Sequence, residues 1–425
     1  GLIDTPQRGR EAGHACRRGD VDLLLLYVTT YALSSTVLPL VQRAGVPVIV
    51  LTLQPGPAID YDTFNRLPDR TAMTGAWLAW CSACPVPEIA NVMRRAGIPF
   101  HQVTGALTDE ETWREIEEWV EAAGVKSALA QNRLGLMGHY YGGMLDVATD
   151  ITQVSITFGS HLEMLETDEL SALRARCSDR EIELRLQIFG EHFAIQPDCS
   201  AAELERAART SVALDRLVEE HDLQSLAYYY KGSGVAANED TMSSMILGTS
   251  LLTARHIPVA GEYEVKNVIA MKIMDCFRAG GSFTEFYAID FPDDTVLMGH
   301  DGPGHIAIAE GKTRVRPLDV YHGKVGRGLS VEMSVRYGPV TLLSVVDDRE
   351  HGFRLLVAEG TSEPGPTLAI GNTNSRYRFS IGAVRFVEQW NEQGPAHHCA
   401  VGVGHMAGRI AKLARLLEIP IVQVC

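Results

Sequence analysis

Glu262, Glu285 and His300 stand along the stretch GEYEVKNVIAMKIMDCFRAGGSFTEFYAIDFPDDTVLMGH, which runs from Gly261 to His300. Glu262 follows the apolar run Ile257 to Ala260 and precedes a helical pattern from Val265 to Phe277; Glu285 comes after Gly280-Gly281 among Phe283, Phe286 and Tyr287. A carboxylate in such surroundings is stripped of water, so it pairs, binds a metal or stays protonated. Further on, GPAHHCAVGVGH adds His397 and His398. Adjacent strand residues point to opposite faces, so only one of that pair serves as a ligand. Carboxylates and imidazoles at element ends, flanked by glycines, form a donor set for a hard-to-borderline divalent cation. Taken singly, each glutamate reads first as a surface or salt-bridged residue; the GGSF turn and His300 bring the metal reading level with that one. In HDGPGH, Asp301 and His305 are alternative donors, or members of an ordinary turn, and Asp301 could orient an imidazole.

The elements that must position these groups change character along the chain. Short apolar runs at Asp22 to Val28, Val46 to Leu53 and Ile98 to Val103 alternate with helical stretches, as buried parallel strands do. Thr108 to Ala123 reads as a helix opened by a Thr108/Glu111 capping box, with Trp113, Ile116, Val120 and Ala123 on one face and Gly124 at its end. Arg133 to Met137 and Ser225 to Tyr230 read as strands, Ser200 opens a helix through His221, and another helix is expected from Glu239 to Arg255 beyond the Gly-rich turn Lys231 to Gly234. After Gly280 the pattern shifts to short runs at 295–298, 305–309, 329–335, 340–346 and 353–358, with Asp347 to Gly352 as a hairpin loop. GHMAG and its neighbours, with Gly402, Gly404 and Gly408, read as packing in a closing helix from Gly402 to Leu417. The expectation is α/β: two doubly wound α/β domains, residues 1–132 and 133–278, followed by a C-terminal antiparallel β-barrel domain, residues 279–425.

Charge and composition narrow the partners. A formal net charge of −15 argues against a nucleic-acid partner, because that affinity needs clustered Lys and Arg. There is no apolar run of about 18 residues that would span a membrane, and no leader at Gly1, so a cytoplasmic location is expected. Eight scattered cysteines are expected to be reduced thiols, with Cys81 and Cys84 of CSACP packing in a helix.

In order, AGEYEVKNVIAMKIM, GGSFTEFY, VLMGH, RPLDVYHGKVGRG and GPAHHCAVGVGH resemble the L-arabinose isomerases of the L-fucose and L-arabinose isomerase superfamily. Weaker likeness extends upstream through GHYYGGMLDVATD to TLQPGPAID. The resemblance implies a metal-dependent aldose-ketose isomerase working on a pentose, hexose or modified sugar through a cis-enediol. It implies Mn²⁺, or another divalent cation such as Mg²⁺ or Co²⁺, on Glu262, Glu285, His300 and His398, with Glu262 and Glu285 as the acid/base pair. It also implies a homo-oligomer, a hexamer with shared sites, in which Gln54 reaches a neighbour's site while Met144 and His397 contact substrate in their own. Three features depart from the family. The spacing from Glu262 to Glu285 is short, HDGPGH replaces a simpler segment, and the family pattern leads one to expect further chain before the first strand and after IPIVQVC. The rival readings are a sugar-binding protein of the same fold without turnover, and a metal-dependent hydrolase.

Overall fold

The computed structural model describes residues 2–232, 234–321 and 324–425. Ser233 of the expected Gly-rich turn and His322-Gly323 of RPLDVYHGKVGRG lie outside the described residues. The chain forms two compact units, residues 1–124 and residues 125–425. Among the described residues no helix is long and apolar enough to cross a membrane.

In the first unit three parallel strands, β1 (Leu24–Tyr27), β2 (Val48–Gln54) and β3 (Phe100–Ala106), lie side by side in that order. Every residue of β2 up to Leu53 is buried, which is why the run does not alternate. Helices Pro6–Arg18 and Ser34–Ala44 press so close that a Cβ on Gly9 would fall 2.2 Å from the carbonyl oxygen of Thr36. Two expectations fail here. The helix thought to end at Ala123 is Glu110–Ala130 and runs through Gly124. Burial of Val125 and Leu129 outweighs the roughly 1 kcal/mol penalty of a helical glycine. Its start is set by Asp109, whose carboxylate accepts from the Thr112 N–H at 3.1 Å. Its buried face carries Ile116, Trp119 and Ala123, leaving Trp113 and Val120 exposed. The second failure concerns Cys81 and Cys84: they form a disulfide in a turn after helix Arg70–Leu78, neither reduced nor helical. The turn brings their Cα atoms to 5.3 Å, within disulfide range. Cys16, Cys177, Cys199, Cys276, Cys399 and Cys425 are free thiols, as expected.

The second unit begins with a parallel sheet of β4 (Arg133–Met137), β5 (His161–Leu165), β6 (Ser225–Tyr228) and β7 (Val259–Ala260), in the order β5-β4-β6-β7. The chain leaves β4 to one side and returns on the other, so the topological switch lies between β4 and β6. Helix Ala201–Glu220 is capped by the Ser200 hydroxyl as the sequence implied. The helix expected from Glu239 to Arg255 is two, Ala236–Met242 and Ile246–Ala254. Between them Ser243 and Ser244 donate back to the carbonyls of Glu239 and Asp240 and end the first helix.

The barrel follows. Strands β8 (Gly280–Asp290), β9 (Thr295–His300), β10 (Gly338–Asp348), β11 (Gly352–Glu363), β12 (Thr373–Phe379) and β13 (Cys399–Val403) form the ring β10-β13-β8-β9-β12-β11, closed by pairing of β11 with β10. All neighbours in the ring are antiparallel. The segment 305–309 is a 3-10 turn, Ile306–Ile308, rather than a strand. Gly402 lies in β13, and the last long helix starts only at Ala407. A Cβ on Gly402 would meet Met274 at 2.4 Å, so this glycine serves strand-on-helix packing. Helix Val265–Cys276, buried almost throughout, carries Met274 and packs against both the parallel sheet and the barrel.

Candidate metal centre

Register alone assembles most of the site. Within the ring, β13, β8 and β9 are neighbours; Cys399 pairs with Thr284, and Glu285 pairs with Gly299. His398, one residue before β13, therefore comes level with Glu285, and His300 lies one residue beyond the Gly299 that faces Glu285. An irregularity between Leu297 and Met298 shifts the register of β9 and re-aims its last residue. Glu262 arrives from the other layer, two residues beyond β7. Both Glu262 (φ 57°) and Tyr263 (φ 61°) are left-handed, a conformation that costs side-chain-bearing residues energy and persists only when its surroundings enforce it. Enforcement comes from the Tyr263 N–H donating to the Tyr228 carbonyl at 2.9 Å, and from the Glu264 N–H donating to that of Gly261 at 3.0 Å.

Potential ligand atoms of Glu262, His300 and His398 all lie within 4.8 Å of one another. His300 Nε2 is 3.9 Å and His398 Nε2 3.6 Å from the Glu262 carboxylate. Glu285 Oε2 is 4.0 Å from His398 Nε2 and 2.6 Å from His397 Nε2, and these three residues make a second such group. Phe283 packs beside both His300 and His398, ring centroids 4.2 and 4.3 Å away, and excludes water from that side. Burial, followed by the charge of Glu285, pushes Glu262 up to about 7. Burial holds His398 neutral, down to about 3. His397 is raised, chiefly by its hydrogen bond to Glu285.

Behind the histidine sits a polar layer built on Glu264 and Lys266, to which the sequence reading gave no role of their own. The Glu264 carboxylate is 3.5 Å from His398 Nδ1 and is pushed up to about 8 by burial. Lys266, 2% exposed, pairs with Asp347 at 2.5 Å and donates to the Asp146 carbonyl. Asp146 in turn accepts from the His397 N–H at 2.7 Å. The signal was present as E-x-E-x-K from Glu262 to Lys266, but nothing in the sequence named Asp146 or Asp347 as partners.

Other predicted positions fall as follows. Met144 is half-buried at the start of the 3-10 turn Leu145–Val147, in the loop that carries Asp146. Gln54 is the last residue of β2 in the first unit, and its carbonyl accepts from Leu107. His305 belongs to neither ligand group among the described residues; its ring is buried and both nitrogens lack hydrogen bonds. Asp301 is felt at Tyr287, whose hydroxyl is raised by burial, by Glu285 and by Asp301 in that order.

Residues 280–420, the barrel with Glu285, His300 and both members of the histidine pair, match the family described as the L-arabinose isomerase C-terminal domain. Over 354 residues, covering 79% of this chain and 68% of the relative, the sequence is 22% identical to a curated L-arabinose isomerase of Nocardioides sp. strain JS614.

Proposed function

We propose that this L-arabinose isomerase-like chain, a sugar isomerase, interconverts an aldose and a ketose in a metal-dependent reaction through a cis-enediol. The observation that carries the metal dependence is the convergence of Glu262, His300 and His398 within 4.8 Å, with Glu285 beside them. The donor set fits a divalent cation: His398 Nε2 is buried, neutral and without a hydrogen bond, and it points at two carboxylates. Glu262, Glu285, His300 and His398 would hold it, with Mn²⁺ as the reading the resemblance supports and Mg²⁺ or Co²⁺ as substitutes. Such an ion, when bound, supplies Lewis-acid polarisation of the sugar carbonyl and its neighbouring hydroxyl.

The chain's own residues manage the protons. Glu262, buried with its carboxylate 3.6 Å from His398 Nε2 and 3.9 Å from His300 Nε2, is the carboxylate deepest in the group and suits the proton transfer between C1 and C2. Glu285, bonded to a His397 that favours its protonated form, serves as the second member of the acid/base pair and hands protons to or from the sugar oxygens. Phe283 keeps competing water off the two buried histidines. Substrates are a pentose, a hexose or a modified sugar. The protein is a cytoplasmic homo-oligomer, a hexamer in which Gln54 reaches a neighbouring subunit's site.

The test is to strip the protein with chelator, restore Mn²⁺, Mg²⁺, Co²⁺ or Zn²⁺ separately, and follow C5 and C6 sugars by NMR in deuterated water. Metal-dependent conversion with deuterium at C1 or C2 is expected. Tight metal binding without conversion of any sugar would overturn the isomerase mechanism, and absence of metal binding would overturn the site.

A further inference from the structure

One chemical group in the first unit has no part in the isomerisation: the disulfide of Cys81 and Cys84 in CSACP. Its two ends are unequal. Cys81 is fully buried, whereas Cys84 and its neighbour Ala83 are exposed. A disulfide is opened by a thiolate that reaches one of its sulfurs, so the Cys84 side is the one open to attack. As a staple the bond contributes little, because it joins residues three apart and so short a loop restrains the unfolded chain least. The turn also stands without it. The Cys84 N–H donates to the Cys81 carbonyl at 3.3 Å, and the Cys81 N–H to that of Leu78 at 3.2 Å. Both flanks are tied to the segment that follows β1. The Thr30 hydroxyl donates to the Leu78 carbonyl at 2.9 Å, and the Ser34 N–H and hydroxyl donate to the Glu88 carboxylate at 2.9 and 2.6 Å. Two cysteines on a turn so pinned, Cα atoms 5.3 Å apart, stay within bonding reach once reduced. Between them Ser82 is buried, and its hydroxyl has no hydrogen bond among the described residues. The free thiols differ: burial raises Cys177, Cys199, Cys276, Cys399 and Cys425, which makes them poor nucleophiles.

We propose that Cys81 and Cys84 are a thiol–disulfide exchange site that takes thiol reductants at Cys84, a redox activity that the isomerisation does not need. A reductant thiolate attacks Cys84 Sγ and forms a mixed disulfide, while the bond between Cys84 and Cys81 breaks and its electron pair leaves on Cys81. The leaving thiolate takes a proton from water. Until it does, the unpartnered hydroxyl of Ser82, next in the chain, is a donor for its charge. A second reductant thiolate, on the same molecule or another, then attacks the reductant sulfur bound to Cys84. That closes the reductant's own disulfide and releases Cys84 as a thiolate, which is protonated in turn. Two electrons and two protons pass from the two reductant thiols to the protein. Oxidation by the reductant's disulfide runs the same steps backwards.

The test uses the full chain in buffers of reduced and oxidised glutathione. Samples are quenched with acid, alkylated and read by mass spectrometry on the peptide that holds Cys81 and Cys84, with circular dichroism recorded at each ratio. The pair is expected to pass from about 10% to about 90% reduced over roughly a hundredfold range in the square of reduced over oxidised glutathione, as two-electron mass action requires, with the circular dichroism unchanged. Cys81→Ser, which leaves the exposed sulfur alone, should capture one glutathione from the oxidised form, and Cys84→Ser should capture it at least about tenfold more slowly at Cys81. A pair that stays oxidised at every ratio is a structural staple and overturns the proposal. So does a pair that stays reduced at every ratio, or reduction that occurs only with loss of structure. Equal capture by the two serine variants overturns the choice of Cys84. Should either variant fail to fold, the wild-type titration decides whether the pair exchanges, and the alkylation rates of Cys84 and Cys81 in the reduced wild type decide which sulfur is reached.

Discussion

Glu285 Oε2 stands 2.6 Å from Nε2 of His397 and 4.0 Å from Nε2 of His398. One carboxylate oxygen thus addresses two consecutive imidazoles of opposite character. His397 is partly exposed and pushed toward its protonated form, whereas His398 is buried and held neutral. A neutral imidazole ligates and a protonated one donates. His398→Ala is therefore expected to weaken Mn²⁺ binding by more than about 100-fold, and His397→Ala by less than about tenfold, by titration calorimetry. The reverse order would exchange the two roles.

Glu285→Gln keeps the shape of the side chain while removing its charge. Folding should survive, with a melting temperature close to that of the parent, and kcat should fall by about 10³-fold or more. Activity near the parent's would remove Glu285 from the chemistry.

Glu264 touches the metal centre only through His398 Nδ1. A carboxylate in that position fixes the tautomer and ring angle of the imidazole. Glu264→Ala is expected to lower Mn²⁺ affinity about 10- to 100-fold, with Glu264→Gln intermediate because it can still bond to the ring. Equal affinities in parent and both variants would show that Phe283 packing alone orients His398.

His305 gives a pH signature away from that centre. Burial lowers its folded-state pKa to about 4 from an ordinary 6.5. As pH falls through 6.5 the unfolded chain takes the proton first, so the folded state loses stability relative to it until about pH 4 is reached. The slope approaches about 1.4 kcal/mol per pH unit in that window. Urea unfolding between pH 7 and 4 should show a shallower decline in His305→Leu than in the parent; parallel declines would place the proton elsewhere.

Lys266→Met deletes a buried cation that holds the Asp146 carbonyl and Asp347 together. Asp347 is half exposed and can be hydrated, but the Asp146 carbonyl loses its donor. A loss of about 1–3 kcal/mol in chemical denaturation is expected, together with a lower kcat as the loop that anchors His397 loosens. No change in either quantity would mean that Tyr140, whose hydroxyl bonds both backbone groups of Thr149, holds the loop alone.

Much of this arrangement was legible in local chemistry. Val48 to Leu53 reads as a buried strand because each residue is apolar, and Ser200 reads as a cap because a hydroxyl there has one use. Glu262 and Glu285 drew notice because a carboxylate beside glycines and aromatic rings is stripped of water, whereas the choice of His300 and His398 among the histidines came from the resemblance to the L-arabinose isomerases. What stayed hidden depends on partners distant in sequence. TNSRYRF at 373–379 carries five polar or charged residues against two aromatic ones and is a strand only because β9 and β11 flank it. Gly124 looked like a helix end because burial of Val125 and Leu129 cannot be read from glycine itself. Likewise the His397–Glu285 contact joins residues 112 apart, and no spacing rule announces it.

The ring is also closed out of chain order. Strand β13 at Cys399–Val403 is inserted between β8 and β10, which precede it in the chain by more than fifty residues. Taken without β13, strands β8 through β12 are an open sheet with two bare edges, β8 and β10, and a bare edge is a template for pairing with another chain. Only when β13 slots home are both edges sealed, and the same step delivers His398 to Glu262 and Glu285. A chain cut before residue 398 therefore lacks both the strand that seals the ring and the imidazole that faces Glu262.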